Sequence, residues 1–409
     1  MGMSGWVNVA ACTVAAVLLS CSGARESGMM DGADMHERAD RLAHGLVIVD
    51  THLDVPYHIL ERPADVAERT FTTDFDYPRA IEGGLDCAFF AVYFAHSYET
   101  RGGAKDFAEK TIAGIEQLVA RRPDRFALVR TADEIAPARK RGQVAIAMGM
   151  ENGAPLEGDL KNVRHFHDRG IRYITLAHVH SNHISDASWD KERPWNGLSP
   201  FGKLVVAEMN RVGMIIDISH LSDSAAFEVL RLSRAPVLAT HSSCRYFTPG
   251  FERNMSDDLI RALAARGGVI DINFGSEFLV DSIRIANDKA SAEVRKYFAD
   301  HNLKSTDEEA IRFSKAYRAS HGTPYADVKD VADHIDHVVR LVGIDHVGIG
   351  SDFDGLGDDL PTGLKDVSGY PNLIAELLKK GYSREQIEKI CSGNVFRVWR
   401  EVERIARGM

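Results

Sequence analysis

Short apolar runs punctuate the chain, and the stretches between them carry apolar residues at helical spacing. The runs cover residues 46–50, 87–94, 144–150, 172–177, 214–219, 237–240, 268–273 and 347–350. They are apolar at consecutive rather than alternate positions, as expected of parallel strands covered on both faces. The stretches 105–119, 160–169, 201–212, 223–232 and 256–265 predict helices. Ser256, followed by Asp257 and Asp258, has the chemistry of a helix start. Eight such repeats predict an α/β fold, a closed (β/α)8 TIM-like barrel. Two regions exceed a minimal barrel. Residues 276–345 predict extra helices between strands 7 and 8, and residues 372–409 predict C-terminal helices.

Ahead of the first run, residues 7–20 are apolar and small, with no charge. That length is short for a membrane span and fits the core of an export signal. It ends in Leu18-Leu19-Ser20-Cys21 and gives way to a polar run, although no Lys or Arg precedes it. The pattern resembles a bacterial lipoprotein processing site, with Cys21 as the lipidated N-terminus. The expected organisation is an export segment (1–21), a polar linker (22–42) and a barrel (43–409). The expected location is the bacterial periplasm, or the membrane through a lipid on Cys21.

Composition narrows the function. The 409 residues carry a formal charge of −10, which excludes nucleic acid as the main partner, since phosphate backbones call for a basic face. The five cysteines (Cys12, Cys21, Cys87, Cys244 and Cys391) form no CxxC pair, which excludes an all-cysteine zinc site. Without the first two, an odd three remain, enough for one internal disulfide at most.

Barrel active sites form at the C-terminal ends of the strands, so the residues that follow each run carry the chemistry. The first run continues through Asp50-Thr51-His52-Leu53-Asp54. His52 and Asp54 lie two apart, on one side of an extended chain, and form half of a metal site. The third ends in Gly149-Met150-Glu151-Asn152, the fifth in Asp217-Ile218-Ser219-His220, and the sixth in Thr240-His241-Ser242-Ser243. The eighth ends in Ser351-Asp352-Phe353-Asp354-Gly355, and the fourth adds His178. Each has an ordinary reading alone: Glu151 as an acid at a helix start, Asp352 as a turn residue ahead of Asp354-Gly355. Ser242-Ser243 lacks the Gly-x-Ser-x-Gly context of a nucleophile. Their recurrence at one end of successive strands points to a metal site. Three histidines, one Asp and one Glu suit zinc first, with manganese, iron or cobalt as alternatives. Five ligands exceed one tetrahedral ion, whereas a carboxylate bridging two ions roughly 3.5–4 Å apart uses them all.

In order and combination these motifs resemble the membrane (renal-type) dipeptidases, zinc peptidases among the metal-dependent amidohydrolase barrels. Ile174-Thr175-Leu176-Ala177-His178, Arg253-Asn254, Tyr370-Pro371-Asn372-Leu373 and Gly393-Asn394-Val395 extend the likeness over residues 49–398. The resemblance implies hydrolysis of dipeptides, L-Xaa-D-Xaa among them, by a hydroxide bridging two Zn2+ ions. It implies His52 and Asp54 on one zinc, His220 and His241 on the other, and Glu151 shared. It further implies Asp352 as the catalytic acid/base, His178 against the reacting carbonyl, Arg253 on the substrate's carboxylate, and a homodimer. Two loops depart from the family pattern. His178-Val179-His180-Ser181-Asn182-His183 carries an extra residue, as does the stretch from His241 to Arg253. His180 and His183 are therefore either polar loop residues or substrate contacts. A related hydrolase of lactones, β-lactams or other amides, and a non-catalytic exported binding protein, are the competing readings.

Overall fold

All eight apolar runs form strands in the computed structural model, which describes residues 32–304, 307–322 and 324–409. The strands are β1 (Ile48–Leu53), β2 (Leu85–Val92), β3 (Val144–Glu151), β4 (Ile171–Thr175), β5 (Ile215–Asp217), β6 (Leu238–Ser242), β7 (Val269–Ile272) and β8 (Val347–Ile349). Each pairs in parallel with the next. The sheet closes where Leu53 bridges Phe353: the Asp54 N–H donates to the Phe353 carbonyl (2.8 Å) and the Asp352 N–H to that of His52 (3.0 Å). A short strand, Phe126–Leu128, pairs in parallel with Val144–Ile146 at the start of β3 and was not expected, because three residues are too few to set a period.

Burial on both sides explains the continuous apolar runs. Val49, Cys87, Phe89, Ala145, Ala147, Ile215, Leu238 and Val269 fill the barrel, while alternate residues such as Phe90, Ile146 and Met148 meet the surrounding helices. The barrel floor is sealed by the helix Asn394–Arg407, which inserts Val395, Val398, Trp399 and Val402; the Trp399 and Phe89 rings lie 5.2 Å apart. Gly149 has a steric purpose. A Cβ there would fall 1.9 Å from the ring of Tyr173, so glycine alone lets that ring cross the barrel.

The extra helices after β7 are Ser276–Leu279, Asp281–Asp300, Glu308–His321 and Val328–Val342. The expected linker ends earlier than residue 42. Gly32–Gly45 is a helix that packs Ala39, Leu42 and Ala43 into the core, because its apolar residues recur on one face. The export segment, Cys12 and Cys21 lie outside the described residues. Cys87, Cys244 and Cys391 are buried and free, so the disulfide their number allowed is not formed. Among the described residues, no helix is long and apolar enough to cross a membrane.

One buried histidine makes the fold sensitive to acid. His334 Nδ1 accepts the Cys244 N–H (3.0 Å) and Nε2 lies 3.0 Å from the Leu279 carbonyl, so the neutral ring satisfies both partners. Burial pushes its pKa down to about 4, outweighing the Leu279 carbonyl that favours the charged form. A depressed histidine contributes stability above its unfolded pKa near 6.5 and loses it as pH falls toward 4, a cost of about 3 kcal/mol. Denaturant unfolding between about pH 7 and pH 4 should show a shallower decline for His334→Gln than for the wild type. Parallel declines would clear His334 of this role.

Candidate metal centre and active site

The strand ends deliver their polar residues to a single point above the barrel. His52 is the penultimate residue of β1, and Asp54 stands at the N-cap position of the next helix, Val55–Glu61, without a side-chain cap bond. Glu151 is the last residue of β3, and His241 lies within β6. His178 and His220 each follow a strand by three residues, and Arg253 sits in the loop after β6. His220 (φ 67°), Asp352 (φ 66°) and Asn152 (φ 86°) adopt left-handed backbone, sparsely populated for non-glycine residues. Such conformations persist where surrounding structure over-determines them, and they cluster at active sites.

Glu151 is the hub. Its Oε2 faces His52 Nε2 at 3.7 Å, while Oε1 faces His220 Nε2 at 3.1 Å, His241 Nε2 at 3.3 Å and His178 Nε2 at 3.4 Å. His52 Nε2 also lies 3.6 Å from Asp54 Oδ2 and 3.9 Å from Asp352 Oδ1. His220 and His241 bring their Nε2 atoms within 2.8 Å of each other. Three overlapping sets are close enough to hold cations: His52, Glu151 and His241; Glu151, His178 and His220; and His52, Asp54 and Asp352. All the residues singled out from the strand ends are thus brought together. The fit to a metal is also chemical. His52 Nε2 and Asp54 Oδ1 are buried without a hydrogen-bond partner among the described residues. Such a pair is costly unless a cation takes their lone pairs.

Residues behind the cluster hold it in place. His52 Nδ1 lies 2.8 Å from the Tyr173 hydroxyl, which fixes the ring and turns Nε2 toward Glu151. His241 Nδ1 lies 2.9 Å from Thr240 Oγ1, and that hydroxyl donates to Asp217 Oδ2 (2.7 Å). Asp217 also accepts the Ser219 and Thr240 N–H groups, tying β5 to β6. Asp50 accepts the His52 and Ser351 N–H groups and the Tyr370 hydroxyl, tying β1 to the end of β8. Asn273 donates from Nδ2 to Asp352 Oδ2 (2.8 Å), which leaves Oδ1 facing the cluster. Gly355 lies against the carboxylates; a Cβ there would stand 2.3 Å from Asp54 Oδ2 and 2.6 Å from Asp352 Oδ1.

Tyr173, Asp217 and Asn273 were not anticipated as parts of the site. Asn273 sits just past β7, where the strand-end rule could have found it. Tyr173 lies inside the barrel, and only the three-dimensional path of β4 shows that its hydroxyl reaches β1.

The charges divide the labour. Burial pushes the Glu151 carboxyl upward, but His178, His52, His220 and His241 outweigh it and hold it well below the usual range. Burial drives His220 and His241 well below ordinary imidazole, aided by Arg253 at His220 and by His52 at His241, so both present lone pairs. Burial also opposes charge on His52, yet Tyr173, Glu151 and Asp54 raise its pKa well above the ordinary value. Burial, then Asp54 and Glu151, push Asp352 well above the carboxylate range, which suits a group that must carry a proton. Burial lowers the pKa of His178 despite Glu151.

Arg253 is buried beside the cluster. It donates to the His241 carbonyl (2.8 Å) and to Ser242 Oγ (3.0 Å), and Nη2 lies 3.1 Å from His220 Nε2. Its Nε is buried without a partner among the described residues, a donor still available to an anion. Of the two loop histidines, His183 stacks on Phe201 (5.4 Å) and acts as a packing residue. His180 lies at the rim, 4.2 Å from the His96 ring and 3.9 Å from Asp190.

Comparisons with known proteins agree with this geometry. The family model for membrane dipeptidases (peptidase family M19) matches residues 36–409. An uncharacterized dipeptidase of Schizosaccharomyces pombe is 32% identical over 378 residues, covering 88% of this chain and 81% of the relative. Dipeptidase tcpJ of Claviceps purpurea is 33% identical, with 81% and 70% covered. Among solved structures, the probable dipeptidase PvdM of Pseudomonas aeruginosa superposes with a TM-score of 0.79 at 27% identity, covering 91% of this chain and 100% of its own. A metallo peptidase of Rhodobacter sphaeroides, liganded with a phosphinate mimic of the dipeptide L-Ala-D-Ala, gives 0.70 at 26% identity, with 87% and 99% covered.

Proposed function

The chain belongs to the membrane dipeptidase family, a family of metallopeptidases, and from that premise we propose that it cleaves dipeptides, including L-Xaa-D-Xaa, with two zinc ions. One observation carries this reading: the two oxygens of Glu151 meet different histidines, Oε2 lying nearest His52 and Oε1 nearest His220 and His241. That division suits a bridge between an ion on His52 and Asp54 and a second on His220 and His241. The nitrogen and oxygen donor set favours zinc. Bound there, the ions would supply Lewis acidity toward the peptide carbonyl and a water acidified toward pKa 7.

The chain's own groups do the rest. Asp352, held by Asn273 with Oδ1 toward the cluster, accepts the proton of the attacking water and passes it to the leaving amine. His178 donates a hydrogen bond to the carbonyl oxygen as charge develops on it, a contribution of about 3–4 kcal/mol for a well-placed donor. Arg253 takes the free carboxylate of the substrate, and this selects chains that end one residue past the scissile bond. A dipeptide panel of L-L and L-D pairs, with a β-lactam and a lactone as comparators, tests the reading alongside metal analysis and chelation. Turnover of dipeptides that disappears on chelation and returns with zinc supports it; hydrolysis of the comparators alone would overturn it.

Arg253 offers a separate test. Arg253→Ala should lower kcat/KM for free dipeptides by about 150-fold, from losing roughly 3 kcal/mol of charge-assisted bonding. A dipeptide amide, lacking the carboxylate, should be turned over almost equally by both proteins. Equal losses on the two substrates would place Arg253 in structural support of His220 and His241.

A further inference from the structure

The closed end of the barrel, opposite the catalytic mouth, carries a cavity of about 360 Å³. Five arginines line it (Arg130, Arg164, Arg172, Arg211 and Arg407) with one carboxylate, Glu403. This concentration of cations stands out in a chain whose formal charge is −10. Arg211 is paired with Glu208, and Arg407 with Glu403. Arg130, Arg164 and Arg172 have no carboxylate partner within ion-pair distance among the described residues.

Arg172 shows that the cavity is built. It is 7% exposed, at the start of β4, and its guanidinium is clamped by main-chain carbonyls. Nε donates to the Arg130 carbonyl (2.5 Å) and Nη1 to those of His167 (2.9 Å) and Ile171 (2.7 Å). Nη2 makes no hydrogen bond to the described residues, and the side chain borders the cavity. A buried guanidinium fixed by carbonyls keeps its full charge while spending only part of its donor capacity. Burial, then the neighbouring Arg130, lower its pKa to about 10, outweighing the more distant carboxylates of Glu403, Glu134 and Asp168, none of which reaches ion-pair distance.

Three unpaired guanidinium groups call for more than one negative charge, and their planar forks match phosphate oxygens in pairs. A single carboxylate would leave most of that demand unmet. We infer that this cavity is a binding site for a phosphoryl group, either a free phosphate compound or a phosphate lipid headgroup, separate from the dipeptide site. Its volume exceeds that of one phosphate, leaving room for whatever the phosphate is attached to.

The test uses the full-length, metal-loaded protein. Inorganic phosphate is titrated calorimetrically at constant ionic strength. Vesicles of phosphatidic acid in phosphatidylcholine are co-sedimented with the protein, beside vesicles of phosphatidylcholine alone. The probe protein is the double variant Arg130→Ala/Arg164→Ala, whose substituted side chains are exposed and leave the core intact. At least one probe should bind the wild type saturably and bind the double variant at least about tenfold more weakly, with dipeptide turnover unchanged. Arg172→Lys, which keeps the charge and loses the fork, should weaken the same probe. Binding of phosphate alone identifies a soluble ligand, and binding of acidic vesicles alone identifies a headgroup. Equal binding by wild type and double variant would move the phosphate to the metal centre and overturn the inference, as would failure of both probes to bind.

Discussion

Asp352→Asn should reduce kcat by about 10²–10⁴-fold, the range for losing a general acid–base group, with bound metal at the wild-type level. The substitution keeps shape and the contact with Asn273, whose Nδ2 donates to Asp352 Oδ2 at 2.8 Å. An amide oxygen can still accept that bond. What it cannot do is take a proton from water and return it to an amine. Asp352 nonetheless falls within one of the three cation-holding sets, with His52 and Asp54, so a ligand role is the rival explanation. Metal analysis separates them. A variant that loses turnover and metal together would make Asp352 a ligand, and one that keeps both would remove it from the chemistry.

The second large effect concerns the hub. Glu151→Gln should empty both cation positions, whereas His241→Ala should lower zinc toward one ion per chain. Each should reduce kcat by about 10³-fold or more, since Lewis-acid stabilisation is worth several kcal/mol. The asymmetry follows from geometry: Glu151 faces His52 through one oxygen and His220 and His241 through the other. Plasma emission analysis of the purified variants, read with their thermal midpoints, measures the difference. Loss of ligand affinity should also lower the midpoint, because a cation bound by the folded state alone stabilises it. If both variants carried a full complement of zinc, the shared-carboxylate arrangement would be wrong.

Much of this was legible in the chain because strands buried on both faces write continuous apolar runs, and because a barrel gathers its strand ends. His52, Asp54, Glu151, His220, His241 and Asp352 could be located without knowing a single contact. Strand edges were less legible. Polar His241 and Ser242 belong to β6, yet they interrupt the apolar pattern that defined the run. Residues acting through a neighbour left no periodic trace. Tyr173 reads as one more core aromatic, and Asn273 as a strand terminus. Gly355 reads as a turn glycine after Asp354, whereas its missing Cβ makes room for two carboxylates. The helix Gly32–Gly45 was obscured by its polar surface, which resembles a linker until the buried stripe of Ala39, Leu42 and Ala43 is recognised.

The floor formed by Asn394–Arg407 has a consequence for biosynthesis. The first strand finds its last neighbour only after Phe353 has been made, and the interior is sealed only by residues made later still. A ribosome adding residues in order therefore holds an open, unsealed sheet until Asn394–Arg407 has emerged. Native packing of Phe89 against Trp399 spans more than three hundred residues of chain. Such distant pairings are slow to form and leave apolar surface exposed meanwhile, so the nascent polypeptide depends on protection from self-association until the helix Asn394–Arg407 is in place.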